Sequence, residues 1–251
     1  MPRYFIELSY KGTCYSGFQK QENAVTVQEK VEDAFKIFFR KAFALTGSSR
    51  TDAGVHAHGN YFHFDTEEVF DRKHIYNLNA ILPADIVIIN ILPVAPDAHA
   101  RFDAVARHYR YCIYREKNPF IDDRGWYLPF KMEHALLHQC ADLVHDHTNF
   151  IAFSKVHTQV KTYDCQIIYS RWLEKDNCLY YEVAANRFLR GMVRALVGTM
   201  VKVARGNLTI RDFEAVLKAG KAASADFSAP AKGLFLERVE YPEGLFLSET
   251  P

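Results

Sequence analysis

The order of secondary structure along the chain constrains the fold most strongly, because the same succession is predicted twice. Alternating side chains, helical spacing and a capping box are the signals that we use for each element. The elements predicted in the first half are a strand at 3–10, a helix opened by Thr26–Glu29, strands at 42–46 and 60–65, a helix at 71–80 and a strand at 85–92. This order, strand, helix, strand, strand, helix, strand, is typical of a ferredoxin-like unit.

The second half repeats this order with insertions. Its predicted elements are strands at 105–115, 165–174, 178–185 and 233–240, and helices at 131–144, 188–204 and 209–219. We therefore predict an α+β fold of two ferredoxin-like (RRM-like) halves, with largely antiparallel sheets flanking a central active-site cleft. The domains expected from this division are 1–104 and 105–251.

Composition is that of an ordinary soluble globular chain. Its 251 residues, 49% hydrophobic and 24% charged, suffice for a sizeable core. The first residues lack the apolar core of a signal peptide, and no uncharged run approaches the ~18 residues that span a bilayer. Five cysteines without a CxxC pair argue against a disulfide framework and favour a reducing cytoplasm. The net charge of +1 does not by itself favour nucleic acid, so an RNA surface would need local clusters of cations.

The segment richest in chemistry is the predicted loop GSSRTDAGVHAHG, residues 47–59. It holds a cation, Arg50, and an anion, Asp52, whose side chains point to the same side of an extended backbone. Gly54 allows a turn or a close approach to a ligand. Taken alone, the pair also fits an ordinary turn with an ion pair of little energetic worth.

A second feature is an arginine in an apolar helix. Segment 188–204 is apolar almost all round, which predicts a buried helix, yet Arg194 lies in its middle. A buried guanidinium needs a partner. Pairing with Asp52 would keep that carboxylate ionised and oriented, as nucleophilic catalysis requires. From the residues alone, pairing of Arg194 with another acid or with exposed carbonyl groups is equally open.

At these residues the chain resembles the tRNA pseudouridine synthase A (TruA) family over nearly its whole length. The segment RTDAGVHA at 50–57 is similar to the family's catalytic motif GRTDAGVHA from its arginine onward. Other family motifs resemble YKGTCYSGFQKQ at 10–21, HARF at 99–102 with RHYRY at 107–111, ANRF at 185–188 with MVR at 192–194, and APAKGL at 229–234. Three positions depart from the usual motifs, since Ser49 replaces a glycine, Phe18 a tryptophan and Asn60 a glutamine.

The resemblance implies an enzyme that isomerises uridine to pseudouridine at positions 38–40, in the anticodon arm of tRNA. Such an isomerisation needs no metal, nucleotide or other cofactor. By the resemblance, Asp52 is the catalytic nucleophile and Arg194 its salt-bridge partner. Tyr109 is expected to stack on the target uracil and to take part in proton transfer. Whether Asp52 attacks the sugar, attacks the base or removes a sugar proton stays open.

The resemblance also implies residues that contact tRNA. Arg50 would fill the space left by a flipped base. The other expected contacts are His99, Arg101, Arg107, His157 and Lys161. A solvated surface charge is the simpler alternative for each of them. The family further implies a homodimer in the cytoplasm, with tRNA as its partner and no membrane association.

One rival function is a metal hydrolase. It would be built on Asp52, His56, His58 and His63. The spacing of the histidines suits a metal, but the chain has no HExxH motif.

The other rival is a non-catalytic RNA-binding protein with ferredoxin-like sheets. It would stack bases on Tyr109 and Tyr111, which share a face of one predicted strand. Binding alone has no need of a buried arginine directed at a loop aspartate, which favours the enzyme.

Overall fold

Segments of alternating polarity form strands, and segments of helical spacing form helices, in the order expected from the sequence. The computed structural model describes residues 1–70, 72–156, 160–222 and 224–247. Within these ranges the chain is α+β, with five α-helices and mostly antiparallel strand pairs. It divides into two compact units: unit 1 is Met1–Val105 with Leu236–Pro251, and unit 2 is Ala106–Phe235. In the described ranges, no helix has the length and apolar character needed to cross a membrane.

Unit 1 is organised around its first strand. Its elements are β1 (Arg3–Tyr10), α1 (Val27–Phe39), β2 (Thr46–Gly47), β3 (His56–Asp65), α2 (Arg72–Ile81) and β4 (Ile86–Val94). The strand β1 lies between β4 and β3 and pairs antiparallel with both. The short strand β2 pairs antiparallel with β3. The loop that carries Asp52 therefore joins two paired strands, which fixes both of its ends.

The bounds of two strands in unit 1 differ from those expected. The strand predicted at 60–65 begins earlier, at His56, because Ala57 pairs with Tyr10 of β1. The segment His-Ala-His-Gly has no strong intrinsic preference for a strand, so this pairing decides its structure. The strand predicted at 42–46 is reduced to β2, Thr46–Gly47.

Aromatic side chains form much of the core of unit 1. Phe35 of α1 is fully buried, with its ring centroid 5.3 Å from that of Phe43 and 5.5 Å from that of Phe64, both edge-on. Thr26 caps α1, since its side chain accepts a hydrogen bond from the Glu29 N–H at 3.3 Å. The helix thus begins where the capping signal predicts.

Unit 2 has its own antiparallel strands and three helices. Its elements are β5 (Ala106–Tyr114), β6 (Trp126–Tyr127), α3 (His134–His145), β7 (Ile167–Lys175), β8 (Cys178–Ala185), α4 (Met192–Ala204) and α5 (Ile210–Leu217). The strand β8 lies between β5 and β7 and pairs antiparallel with both, while β6 pairs parallel with β5. A turn at Asp176 and Asn177 joins β7 to β8, and their φ angles of 53° and 59° match a type I′ turn. The last strand is β9 (Leu234–Glu240), which from Leu236 onward belongs to unit 1 beside β3.

The helix α4 is buried as its apolar pattern predicts, but it is shorter than expected. It begins at Met192 rather than at 188, because Gly191 before it adopts a φ of 77° that ends the helical path. Arg194 consequently lies in the first turn instead of the middle, and it is half-buried. Arg194 is therefore a half-buried residue at the helix start rather than a residue enclosed in the core.

Candidate active site

Asp52 occupies the first position of a tight turn between β2 and β3. The Val55 N–H donates to the Asp52 carbonyl at 3.1 Å, and Gly54, the third residue of the turn, has a φ of 79°. A positive φ at this position characterises a type II turn and favours glycine. Asp52 is half-buried, whereas Arg50 is exposed. The backbone of the carboxylate-bearing residue is thus fixed while its side chain remains partly open to solvent.

The segment after β1 packs along this turn and bonds to its backbone. The Phe18 N–H donates to the Thr51 carbonyl at 3.1 Å, and the Gly54 N–H donates to the Tyr15 carbonyl at 3.3 Å. Gly17 has a φ of 99°, and a Cβ there would lie 3.0 Å from the Thr51 carbonyl oxygen. The glycine in this motif is therefore explained by the close approach of two backbone segments.

Gly12 makes the closest approach to the turn. A Cβ at this position would lie 2.0 Å from the carbonyl oxygen of Val55, so no larger residue fits without a backbone shift. The Gly12 N–H donates to Nδ1 of His56 at 3.1 Å. His56, which follows the turn in sequence, thus supports the backbone contact between β3 and the segment after β1.

The three histidines proposed as metal ligands have different roles. Nδ1 of His56 accepts from Gly12, Nδ1 of His63 accepts from the Ala100 N–H at 3.2 Å, and His58 is exposed. Among the residues that the structure describes, no three His, Cys, Asp or Glu side chains are grouped so that they could hold a metal ion. The geometry of this part of the chain therefore supplies no ligand set for a metal hydrolase.

The segment around His99 forms a second loop of unit 1, and several side chains hold it. Besides the bond from the Ala100 N–H to His63, the Tyr241 hydroxyl donates to the Ala100 carbonyl at 2.6 Å. The His99 N–H donates to Oδ2 of Asp103 at 2.7 Å. Burial, followed by the charges of His99 and of Arg3, lowers the pKa of His63 to about 4. His63 therefore holds this loop as a neutral acceptor at neutral pH.

This second loop presents a cation and an aromatic ring to solvent. Arg101 is exposed, and Phe102 is 73% exposed, so the Phe102 ring is not part of the hydrophobic core. The Arg101 guanidinium lies 5.6 Å from the Phe102 ring centroid, and the His99 ring lies 4.3 Å from it on centroids. Side chains of these types contact phosphates and stack on unpaired bases.

In unit 2, Arg194 is held by the segment that precedes β9. Its Nε donates to the Ala229 carbonyl at 2.7 Å. The Tyr111 hydroxyl donates to the adjacent Pro230 carbonyl at 2.8 Å, and a Cβ at Gly233 would lie 2.6 Å from the Tyr111 ring. Burial raises the pKa of Tyr111, whereas the positive charge of Arg194 acts in the opposite direction. Tyr111 is therefore a core residue that supports the Arg194 segment.

Tyr109 and Arg107 lie on β5 and contact the residues that follow β8. Tyr109 is half-buried on β5, and its ring meets that of Phe188 edge-on with centroids 5.0 Å apart. Nη1 of Arg107 donates to the Asn186 carbonyl at 3.0 Å, which ties β5 to the segment after β8. Arg107 thus has a structural contact besides any contact with a substrate.

The two remaining predicted contacts receive less support. Lys161 is exposed, as a phosphate contact or a simple surface charge would be. His157 lies outside the residues that the structure describes.

Comparison with known proteins places the whole chain in one family. Residues 144–242 match a family model described as tRNA pseudouridine synthase. The tRNA pseudouridine synthase A of Parabacteroides distasonis is 43% identical over 248 residues, or 98% of both chains. That of Bacteroides thetaiotaomicron is 42% identical over 254 residues, which covers 100% of this chain and 94% of the relative. This chain belongs to the tRNA pseudouridine synthase A family.

Likeness to solved structures is much weaker. A chain of the Cbf5-Nop10-Gar1 complex superposes with a TM-score of 0.34 at 9% identity. The match covers 79% of this chain and 54% of that chain. Membership of the tRNA pseudouridine synthase A family therefore rests on the sequence relatives.

The departures from the usual family motifs all lie against the Asp52 turn. Phe18 is 1% exposed and stacks on Phe62 with ring centroids 4.5 Å apart, and a Cβ on Gly47 would meet its ring at 2.2 Å. Asn60 is fully buried, and its Nδ2 donates to the Ser49 carbonyl of the loop. The Tyr10 hydroxyl is hydrogen-bonded to Oγ1 of Thr51 in the same loop. Sequence reasoning missed the role of Asn60. The available signal was a polar residue inside a predicted strand of aromatic residues.

Proposed function

We propose that this chain isomerises uridine to pseudouridine in tRNA, with Asp52 as the nucleophile. The reaction breaks the bond between N1 and C1′, turns the uracil and joins C1′ to C5. C5 loses a proton and N1 gains one, so the substrate and product have the same composition and oxidation state. The reaction as written therefore needs no electron carrier, group donor or water molecule.

The observation that carries this proposal is the turn at Asp52. Within a chain of this family, the Val55 N–H bonds to the Asp52 carbonyl, and Phe18 and Tyr15 hold the neighbouring residues of the turn, while the Asp52 side chain stays partly open to solvent. An oriented carboxylate with access for a ligand is the arrangement that covalent catalysis needs. Arg50, exposed beside it, would fill the space of the flipped uridine and contact phosphates.

Unit 2 would supply the groups that act on the carboxylate and the base. The bond from Nε of Arg194 to Ala229 orients its guanidinium, which would pair with Asp52 and keep it ionised. The edge of Phe188 restricts the Tyr109 ring, which would stack on the target uracil. Stacking of a base on an aromatic side chain contributes about 1–3 kcal/mol. The Tyr109 hydroxyl would then serve proton transfer at C5.

The target site in tRNA and the assembly follow from the family and are part of the proposal. We place the target uridines at positions 38–40, in the anticodon arm. His99, Arg101, Arg107, His157 and Lys161 are the proposed additional tRNA contacts. A homodimer would bring further cations to one tRNA and so compensate for the net charge of +1. The tRNA substrate places the proposed activity in the cytoplasm.

We also propose that the chain consists of two ferredoxin-like domains, 1–104 and 105–251. The element order of unit 1 and the position of β1 between β4 and β3 support this for the first domain. For the second, the order of β5, α3, β7, β8 and α4 supports it. Leu236–Pro251 belongs to unit 1 by its contacts, so a single boundary at 105 does not divide the chain into the two compact units.

The experiment is pseudouridine formation on unmodified tRNA, mapped by chemical modification and primer extension. The wild type should convert anticodon-arm uridines without added metal or nucleotide, and Asp52→Asn should be inert. Asp33→Asn, an exposed change of the same kind on α1, should remain fully active. Normal turnover by Asp52→Asn would overturn the catalytic assignment. Binding of tRNA by the wild type without any conversion would favour the non-catalytic RNA-binding alternative.

A further inference from the structure

Asn60 is 0% exposed and uses every hydrogen-bonding group of its side-chain amide. Its Oδ1 accepts from the Ser48 hydroxyl at 2.8 Å and from the Tyr61 N–H at 2.9 Å. Its Nδ2 donates to the Tyr10 hydroxyl at 3.1 Å and to the Ser49 carbonyl at 3.1 Å. An amide has two N–H donors and one oxygen with two lone pairs, so these four bonds satisfy it completely.

The partners of Asn60 also settle which way the amide points. A backbone N–H such as that of Tyr61 can only donate, and a carbonyl such as that of Ser49 can only accept. Rotation of the amide by half a turn would place like groups together at both positions. An aspartate would bring an oxygen against the Ser49 carbonyl, and an apolar residue would leave buried polar groups without partners.

The bonds of Asn60 lead directly to the residues that flank Arg50. One goes to the carbonyl of Ser49, which precedes it. Another goes to the Tyr10 hydroxyl, which is hydrogen-bonded to Oγ1 of Thr51 at 2.8 Å. Thr51 is 7% exposed and immediately precedes Asp52. A single amide therefore holds the loop on both sides of Arg50, next to the carboxylate.

Rigidity at this place has a chemical consequence. Fully satisfied buried networks have one favoured geometry, because any displacement leaves a donor or acceptor unpaired in a medium of low dielectric constant. A displacement of ~1 Å at a reacting group can reduce the rate of reaction by about 100-fold. The network is thus suited to prevent displacement of Asp52 while a base is flipped out of the RNA.

We infer that Asn60 is a positioning residue for catalysis, which holds Asp52 in place through Ser49 and through Tyr10 and Thr51. The inference rests on the proposed function and adds a residue that does not touch the substrate. The Asn60 amide can contribute both to the stability of the fold and to the rate of the chemical step. A change in the rate of the chemical step requires that the loop be displaced when the amide is replaced, whereas a loss of stability does not.

The test compares Asn60→Asp, Tyr10→Phe and the control Asn79→Ala by their kcat, their KM for tRNA and their urea midpoints. Asn79 also bonds through both amide atoms, to the Ile88 carbonyl at 2.9 Å and from the Ile88 N–H at 2.8 Å, but it lies on α2 away from the loop. Its replacement should lower stability and leave kcat within about 2-fold of the wild type. It therefore reports what loss of a bonded amide does to folding alone.

Asn60→Asp should lower kcat by about 10- to 100-fold while KM changes by less than about 3-fold. Tyr10→Phe removes one hydroxyl from the same connection and should lower kcat by about 5-fold or more. The double variant should lose less than the product of the two single effects, because both changes interrupt one path. If Asn60→Asp does not fold, Tyr10→Phe compared with Asn79→Ala decides the question.

Three outcomes would overturn the inference. The first is that Asn60→Asp or Tyr10→Phe folds and has the kcat of the wild type. The second is an increase in KM with kcat unchanged, and the third is a loss of kcat that Asn79→Ala reproduces at equal stability. Each of these leaves the proposed function intact, since the wild type still converts uridine. A folded wild type that forms no pseudouridine would instead refute the proposed function and this inference together.

Discussion

Two loops of unit 1 carry candidate functional residues, and they are held in different ways. The Asp52 turn is held by hydrogen bonds to its backbone, by the hydroxyls of Tyr10 and Thr51 and by the Asn60 amide, while His56 supports it through the Gly12 N–H. The His99 loop is held by His63, an imidazole that gains a proton in acid. The loop proposed to perform chemistry is therefore bonded directly to backbone, hydroxyl and amide groups, whereas the loop proposed to contact RNA is bonded directly to a titrating imidazole.

The two loops also differ in exposure. Asp52 is half-buried at a turn whose backbone is hydrogen-bonded, while Arg101 and Phe102 are exposed, with the Arg101 guanidinium 5.6 Å from the Phe102 ring centroid. Catalysis requires an exact position for one group, whereas backbone contact and stacking tolerate adjustment. The loop proposed for catalysis is thus the more buried of the two, and the loop proposed to contact RNA is the more exposed.

The largest effect should come from Gly12→Ala, which tests whether the Asp52 turn is held as tightly as the contacts indicate. The added Cβ would lie 2.0 Å from the Val55 carbonyl oxygen, a backbone atom that cannot move without shifting the turn. We expect a loss of about 3 kcal/mol in the free energy of unfolding and a large decrease in kcat. Urea denaturation and tRNA turnover measure the two effects.

Gly220→Ala is the matched control, because a Cβ there meets no atom within 4 Å. It should change the free energy of unfolding by less than about 1 kcal/mol. If Gly12→Ala were as stable and active as this control, the turn would be more adaptable than described.

The next effect should be an acid-dependent loss of stability through His63. Its pKa is about 4 in the folded chain and about 6.5 in the unfolded chain, so the unfolded state takes up the proton first as the pH falls. Stability is then fully present above pH 6.5 and decreases between pH 6.5 and 4, by up to about 3 kcal/mol. Burial lowers the pKa of His99 as well, which acts in the same direction.

Urea unfolding at several pH values between 4 and 8 checks this, with His63→Asn as the informative variant. The asparagine side-chain oxygen can accept a hydrogen bond from the Ala100 N–H without titrating. The free energy of unfolding of this variant should therefore fall less between pH 6.5 and 4 than that of the wild type. His138→Asn, on the exposed side of α3, should behave as the wild type. Parallel curves for the wild type and His63→Asn would show that His63 does not control the acid sensitivity.

The smallest effect should come from the exposed side chains of the His99 loop. Phe102→Ala and Arg101→Ala should each raise the KM for tRNA by about 3- to 10-fold, as expected for loss of one stacking or phosphate contact, with kcat nearly unchanged. Lys36→Ala, which removes an exposed cation from α1, is the control for net charge. A decrease in kcat for Phe102→Ala without a change in KM would place this loop with the catalytic one.

Much of the local structure was predictable because it depends on neighbouring residues. The strand at 3–10 was predicted with the bounds that β1 has, and the burial of α4 followed from its apolar pattern. The loop around Asp52 was located by its residue types and by its resemblance to a family motif. Such signals lie within one short segment, so no tertiary information is required to recognise them.

Other features were decided only by the tertiary structure. The sequence by itself determined the order of elements and the buried segments, and its resemblance to a family motif led to the prediction that Asp52 is catalytic. It did not determine that β3 begins at His56, that Arg194 lies at a helix start, or that Asn60 holds the loop. Each of these depends on contacts between residues far apart in sequence, or on the one backbone angle of Gly191. Local patterns report what a segment prefers, whereas strand register and hydrogen-bond partners arise only when distant segments meet.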